Sequence, residues 1–580
     1  MLALLLAVTA LQDTTIVIRP ESSSAALELR ALPRQIAEEV IRLYNDSGTT
    51  RLVGRTRLPH GNEWRGNVAV RNGPVFVAGT VDGTLVVING DLVFQTGAAV
   101  SGDVIVVGGT VDSAAKAKVA GEVRQYREPL FYRLRREGDA IEYAPNLRRR
   151  LPTLGAQVSW GSADSRSSLT IATGGTFNRV EGLPIVFGPV FDWKLQQNFR
   201  LRLDALGVFR SAGDLSDSRS DLGYMFRSEL RSGDVRPVGV TLRAFDVVSP
   251  IEDWGLHSSE IGWSSFLFAR DYRDYYLNKG WAARVFVQPE RPLSLSLEGR
   301  REWHTGVGVQ DPWTIFRNSE TWRPNPSIDE GHYTTIAANV TVDTRNDVKD
   351  PTAGWLAQLT FENSRSSDVV PNPGVPPSVR DSIPTDGSYQ FSRMFLDIRH
   401  YARISPSGRI HLRMVGGGWM GGDPLPLQRR LSLGGPEPMP GEPFRAAACN
   451  GNIVDPALAE AKVAVCDRVV AFQAEYRGHV KLNWSYSPTG GGAGRDEQSN
   501  EEHPSFWLEG LDLVVFANTG QAWLVGNGPG QVPAGRLPEL ASWRVDVGLG
   551  ADWSGFGVYI AKAVTTGERL RFTVRLEHRF

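Results

Sequence analysis

Residues 569–580 read RLRFTVRLEHRF. Leu570, Phe572, Val574, Leu576, His578 and Phe580 occupy the even positions, while Arg569, Arg571, Thr573, Arg575, Glu577 and Arg579 occupy the odd ones. Successive side chains of a strand point to opposite faces, so the spacing predicts a strand with one nearly apolar face and one charged face. Because the alternation reaches the last residue, the chain is expected to end inside a sheet.

The same alternation recurs upstream. In ASWRVDVGLGADW (541–553), Ala541, Trp543, Val545, Val547, Leu549, Ala551 and Trp553 share one face. Trp543 and Trp553 lie ten residues apart, which is roughly 33 Å of strand. Tilted by about 40°, that span projects to some 25 Å, close to the lipid band of an outer-membrane barrel. A soluble β-sandwich would alternate in the same way, so strand number and length have to decide.

Sixteen candidate strands are expected near 185–193, 199–209, 222–231, 237–247, 261–270, 281–288, 293–303, 334–344, 354–363, 389–402, 409–418, 469–478, 508–517, 541–552, 556–563 and 570–580. Most have the length that membrane strands use. An even number also lets the sheet close without an edge. Connections 304–333 and 364–388 are long, those at 289–292, 405–408 and 552–556 are short, and 479–507 is long where parity calls for a short turn.

Composition supports an all-β chain with more than one folding unit. The chain has 580 residues, 61 Gly, 35 Pro, 16 Trp and a 41% hydrophobic fraction. A length of that order exceeds a single core. The 63 Lys+Arg balance 64 Asp+Glu, for a net charge of -1, which gives no reason to expect a nucleic-acid partner.

Residues 1–12, MLALLLAVTALQ, form an apolar run too short to span a bilayer and read as a signal peptide. Within 20–60, PRQIAEEVIRLY (33–44) sets Ile36, Val40, Leu43 and Tyr44 on one stripe of a short capping helix. Across 61–123, Gly83, Gly102 and Gly121 recur every 19 residues, each followed by a Val/Ile/Leu run. Strand, glycine corner, strand is the repeat of a parallel β-helix, with a Gly-rich meander as the competing reading. This texture resembles bactofilin-type β-helical domains. The resemblance implies a scaffold or self-association partner on the periplasmic side. Residues 124–180 read as a linker and 181–580 as the barrel.

Several segments of the barrel region carry a second resemblance. FNRVEGLPIVFGP (177–189), DYRDYYLNKGW (271–281), VTVDTRNDVKDPTAGW (340–355), LPLQRRLSLGGPEPMPGEPFR (425–445), FQAEYR (472–477), VVFANTGQAW (514–523) and the terminal Phe580 together resemble the bacterial surface antigen superfamily. Those are the sixteen-stranded, BamA/TamA-like outer-membrane barrels. The likeness covers about 400 residues. It implies outer-membrane residence, a role in protein or lipid translocation or assembly, and outer-membrane lipid and the barrel assembly machinery as partners.

The resemblance also assigns residues. Asp343, Arg345, Pro351 and Gly354 match the family's strand motif, and Phe572, Val574, Leu576 and Phe580 its C-terminal assembly signal. Gly434, Gly435, Pro440, Gly441, Glu442 and Arg445 fall in the loop that the family folds into its lumen. Phe516, Asn518 and Gly520 fall in the wall segment facing that loop. The family carries an Arg at the loop tip and an Asp in the wall. Here the matching positions hold Pro440, Gly441 and Glu442 against Asn518, so both halves of that ion pair are missing. The loop is then expected to be held by Pro436, Pro438, Pro440 and Pro443, together with Arg445. The family's periplasmic POTRA domains have no counterpart pattern in 60–123.

Cys449 and Cys466 are the two cysteines and are expected to pair in an oxidising compartment, where closing their loop contributes about 3 kcal/mol. A metal site would draw on Asp455, Glu460 and Asp467. No cofactor motif is present, and no G-x-S-x-G or H-E-x-x-H pattern accompanies His257, His304 or His332, so no enzyme is expected. In DYRDYY, Tyr272, Tyr275 and Tyr276 read as interfacial girdle and Asp271 and Asp274 as solvent-facing. Arg544, Asp546, Arg571 and Arg575 are expected to line a polar lumen. Two readings stay open: a translocation or assembly barrel, and an anchor that holds a β-helix scaffold at the outer membrane. An outer-membrane enzyme is a distant third.

Overall fold

The computed structural model describes Leu32 and residues 34–580, apart from 113–116, 127, 131, 135–139, 144–154, 162–164, 197–198, 213–220, 233–236, 290–291, 347–350, 376–386, 406, 454, 485–505, 554–555, 577–578 and 580. The expected signal peptide lies outside the described residues, as does Phe580 of the assembly signal.

The glycine repeat folds as expected into a parallel β-helix. Thr50–Val53, Val68–Arg71, Leu85–Ile88, Val104–Val107 and Val123–Tyr126 stack into a five-stranded sheet, and two four-stranded sheets complete the prism. Parallel register runs through Val68, Leu85, Val104 and Val123, which excludes the meander. Val68, Val70, Leu85, Val87, Val104 and Val106 point inward to a core with no solvent contact, and each such side chain contributes about 1.5–3 kcal/mol. The corners need glycine because coils touch there: a Cβ on Gly102 would lie 2.8 Å from the Gly83 backbone, and one on Gly109 would lie 2.0 Å from the Gly90 carbonyl oxygen.

Helix α1 (Arg34–Asn45) does not cover an end of this prism. Ala37, Val40 and Tyr44 pack on Ala69, Val86, Ile88, Ile105 and Val107, the outward side of the five-stranded sheet. Val40 and Tyr44 come from the stripe read in the sequence, while Ile36 and Leu43 sit at its half-buried margin.

Beyond it stands one large antiparallel sheet, running from Gly155–Gly161 to Arg571–Arg575 with eighteen named strands among the described residues. One of the eighteen is Gln531–Val532, a two-residue strand pairing parallel with Leu524 and Val525. Fifteen of the sixteen expected strands coincide with strands of this sheet. Three expectations are corrected. Residues 261–270 are not a strand: they fall largely in helix α2 (Ser258–Phe268), whose buried Ser258, Ile261, Gly262 and Ser265 mark a helical stripe. Gly155–Gly161 and Ser165–Thr173, inside the stretch read as linker, are paired strands of the sheet. The last strand stops at Arg575, short of the chain end.

The polarity of the sheet is inverted relative to a soluble protein. Along Arg544–Trp553, Val547, Leu549 and Trp553 are exposed at 43%, 63% and 52%, whereas Asp546 and Asp552 are buried. Phe572 and Val574 are likewise exposed and Arg575 buried. Buried charge beside exposed large apolar residues is the informative departure from ordinary burial. It fits strands that face lipid outside and a charged lumen inside.

The β-helix is tied to the short-connection end of this sheet. Asp91, on a β-helix corner, accepts hydrogen bonds from Asn346 Nδ2 at 2.8 Å and Thr352 Oγ1 at 2.6 Å, and pairs with Arg403 at 2.8 Å. Asn346 and Thr352 belong to the turn that carries the Asp343 motif. Arg345 itself pairs with Asp343 at 2.8 Å, Gly354 has φ +106 with the Thr344 carbonyl oxygen 2.3 Å from where a Cβ would sit, and Pro351 is buried.

Candidate functional site

Residues 423–467, between Gly408–Gly422 and Arg468–Trp484, fold inward and cross the lumen. Leu431 and Leu433 bridge to Cys466 and Ala447, and Cys449 and Cys466 form a disulfide. Gly434 and Gly435 take φ +115 and +108, and a Cβ on Gly434 would lie 2.7 Å from Ala446 N. Leu433 reaches the wall at Gly520, where a Cβ would lie 3.0 Å from it.

The loop tip rests on the wall through the backbone of Gly441. Gly441 N–H donates to Asp546 Oδ2 at 2.7 Å, and Asn518 Nδ2 donates to Asp546 Oδ1 at 2.6 Å. Asn518 and Asp546 are register partners on neighbouring strands. A Cβ on Gly441 would lie 2.7 Å from Asp546 Cβ, which excludes larger residues from the contact. At the next residue Glu442, on the loop, pairs with Arg544 of the wall at 2.9 Å and accepts from Thr566 Oγ1 at 2.9 Å. Pro440 is buried behind this contact.

A second cluster centres on Asp274. Arg445 approaches it at 2.5 Å, Arg323 at 2.6 Å and Arg179 at 2.8 Å. Arg445 also pairs with Glu252 at 2.9 Å, and Glu252 accepts from Ser432 N–H at 2.7 Å. Burial opposes ionisation of Asp274, but the three guanidinium groups outweigh it and hold the carboxyl far below its usual range. The solvent-facing reading of DYRDYY is therefore wrong: Asp271 and Asp274 are buried, as are Tyr275 and Tyr276, while Tyr272 packs edge-on against Phe444. Arg445 joins the loop to Asp274 and Glu252. Its partners were not legible, since acids flanked by tyrosines read equally well as an interfacial girdle.

Beside the second cluster, at Glu252, lies a cavity of about 180 Å³ lined by Glu252, Arg300, Glu362, Arg393, Asp397 and Arg413, among others. Its charges are largely paired with each other: Arg300 meets Glu362 at 2.6 Å and Arg413 meets Asp397 at 2.8 Å. Phe516 lies under the Arg579 guanidinium, 3.9 Å from its ring centre. Of the histidines, His304 is buried with Gln428 Nε2 3.1 Å from its Nδ1, and His332 meets Asp368 at 2.5 Å on the surface. Among the described residues no three ligating groups converge on a metal position.

Fold and lumen together define the class: an inside-out antiparallel barrel sheet, strapped by its own loop and carrying a docked β-helix. No family profile and no curated protein matches this chain. Among solved structures it is similar to BamA from Haemophilus ducreyi lacking POTRA domains 1–3, at 11% identity and a TM-score of 0.39 over 77% of this chain and 74% of that one. It is also similar to CdiB from Acinetobacter baumannii, at 10% identity and a TM-score of 0.29 over 76% and 70%. Likenesses this weak add nothing to what the chain's own geometry shows.

Proposed function

We propose that this chain is an outer-membrane barrel of the surface-antigen type that serves translocation or assembly of protein or lipid, with its β-helix on the periplasmic side. The observation that carries this reading is the convergence of segments far apart in sequence. Arg179, Asp274 and Arg445 come from three of the segments quoted for the resemblance and meet at one carboxylate. Asn518 and Gly441 come from two of them and meet at Asp546. Segments that are weak singly thus form one physical unit, the strap and its anchor points. A diffusion pore passes solute through a water-filled lumen. Here the strap crosses it, so passage requires the strap to move or a route that avoids the lumen. Outer-membrane lipid and the barrel assembly machinery are the partners this reading implies, and it includes no catalytic step.

The Asp91 contact favours a second reading, an anchor in which the barrel holds the β-helix at the membrane. Deleting residues 20–150 separates the two. If the truncated barrel, delivered by a replacement signal, corrects the envelope defect of a null strain, translocation or assembly stands. Full insertion of the truncated barrel with no restoration assigns the function to the β-helix.

A further inference from the structure

Arg429 and Arg430 are neighbours on the strap with opposite surroundings. Arg430 is buried and spent within the loop: its guanidinium meets Asp467 at 2.6 Å and donates to the carbonyl oxygens of Leu425 and Val465 at 2.7 and 2.9 Å. Arg429 ends the single turn Leu427–Arg429 and reaches the wall instead. Among the described residues its side chain makes one hydrogen bond, from Nη1 to the Tyr276 hydroxyl oxygen at 3.0 Å, and its one acidic partner, Glu302, stands off at 4.0 Å. Buried charges are ordinarily paired and hydrogen-bonded, and this guanidinium is only lightly so.

The wall does not supply the missing anion. Arg300 is shared by Glu362 at 2.6 Å, Glu302 at 2.9 Å and Glu298 at 3.6 Å, while Arg393 pairs with Glu362 and Arg243 with Glu298 at 2.7 Å. Joined by these contacts, the four arginines 243, 300, 393 and 429 face the three glutamates 298, 302 and 362, which leaves one positive charge in excess. His304, 3.7 Å from Glu302, adds no negative charge. Arg429 holds the longest of the arginine pairs, so the surplus falls on the strap.

That surplus faces space. Arg429, Tyr276, Arg300 and Arg393 all line the cavity of about 180 Å³, which exceeds the roughly 150 Å³ that holds a benzene-sized guest. Of the other acids around it, Glu252 is taken by Arg445 and Ser432, Asp397 by Arg399 and Arg413, and Asp253 is engaged as well. Tyr276 adds a donor: its oxygen accepts from Arg429, and among the described residues its own proton goes to no acceptor. A guanidinium and a hydroxyl side by side in a polar cavity form a donor set for the oxygens of a carboxylate or phosphate.

We propose that this cavity binds a small free oxyanion, a phosphate or carboxylate, held between Arg429 of the strap and Tyr276 of the wall. Occupied, the site neutralises the surplus charge and ties the strap to the barrel. Ion binding is read on the purified protein and the proposed function on a null strain, so either can fail without the other.

The test heats purified full-length protein in detergent at fixed pH and ionic strength, with sodium chloride replaced stepwise by sodium phosphate or sodium acetate. The temperature at which the compact band is lost on gels should rise saturably with at least one of the two. Arg429→Met should raise the half-saturating concentration at least about tenfold, the scale of one hydrogen bond to a charged group. Tyr276→Phe, which keeps the ring, should raise it too, and carries the comparison if the methionine variant gives no compact band. No saturable rise, or a half-saturating concentration unchanged in the variants that keep the compact band, would overturn the site. So would a rise with dihexanoyl phosphatidate but with neither phosphate nor acetate, since a headgroup carrying its chains exceeds the cavity.

Discussion

Arg445 shows how much of the strap depends on single side chains. It has a left-handed backbone, at φ +52, and spans two acids, Asp274 and Glu252. Replacing it by Met leaves Asp274 with Arg179 and Arg323 but strips Glu252 of its ion-pair partner. Breaking a buried pair from one side costs about 3–5 kcal/mol. We expect Arg445→Met to lower the temperature at which the compact band is lost on gels, and Arg445→Met/Glu252→Gln to recover part of the loss; an unchanged transition would show that the strap is held elsewhere. At this scale the sequence exposes donors more readily than their targets. Arg445 stood out because it follows the proline-rich loop, whereas Asp274 and Glu252 sit in segments whose local pattern fits solvent or strand. Asp546 was read as a lumen charge, but its bond to the Gly441 backbone depends on a register that no local pattern encodes.

Among the elements, the strands were the most legible, since a two-residue period repeated over ten positions leaves little ambiguity. The misreadings fall on segments that lack a readable alternation. Helix α2, SSEIGWSSFLF, scatters its serines among large apolar residues with neither kind gathered on one face, and without a distinct polar face neither period can be told from the other. In Gly155–Gly161 the opposite holds: Val158 and Trp160 are the only large apolar residues, too few to display alternation. The β-helix was legible because its glycine corners repeat, but its docking was not, since one Asp in a glycine-rich run carries no mark of a distant partner. That Asp gives a pH prediction. Burial disfavours the Asp91 carboxylate, but Arg403, Thr352, Asn346 and the Thr110 N–H outweigh it, so its folded pKa is lowered. A lowered carboxyl pKa contributes stability that is fully present above the unfolded value and is lost as pH falls through the folded one. Limited proteolysis between β-helix and barrel should therefore accelerate only below about pH 4. Asp91→Asn should show the fast rate already at neutral pH; a rate independent of both would remove Asp91 from the docking.

For the whole molecule, inverted polarity organises everything else. An apolar exterior requires lipid, a charged interior requires internal pairing, and the strap supplies many of the partners. Fold class was legible because both faces of most strands are written in the sequence. Which face meets lipid was not, since a sandwich uses the same alternation with the apolar side inward. Placing Asp546 and Asp552 in the interior and Leu549 outside resolves that choice. The most direct test is a spin-label scan along Arg544–Trp553 in the membrane-inserted protein. Labels at 547, 549 and 553 should be accessible to oxygen, which partitions into lipid, and shielded from a water-soluble nickel chelate, while labels at 546 and 552 should not see the lipid phase. The reverse assignment, or a scan with no two-residue period, would contradict the membrane barrel.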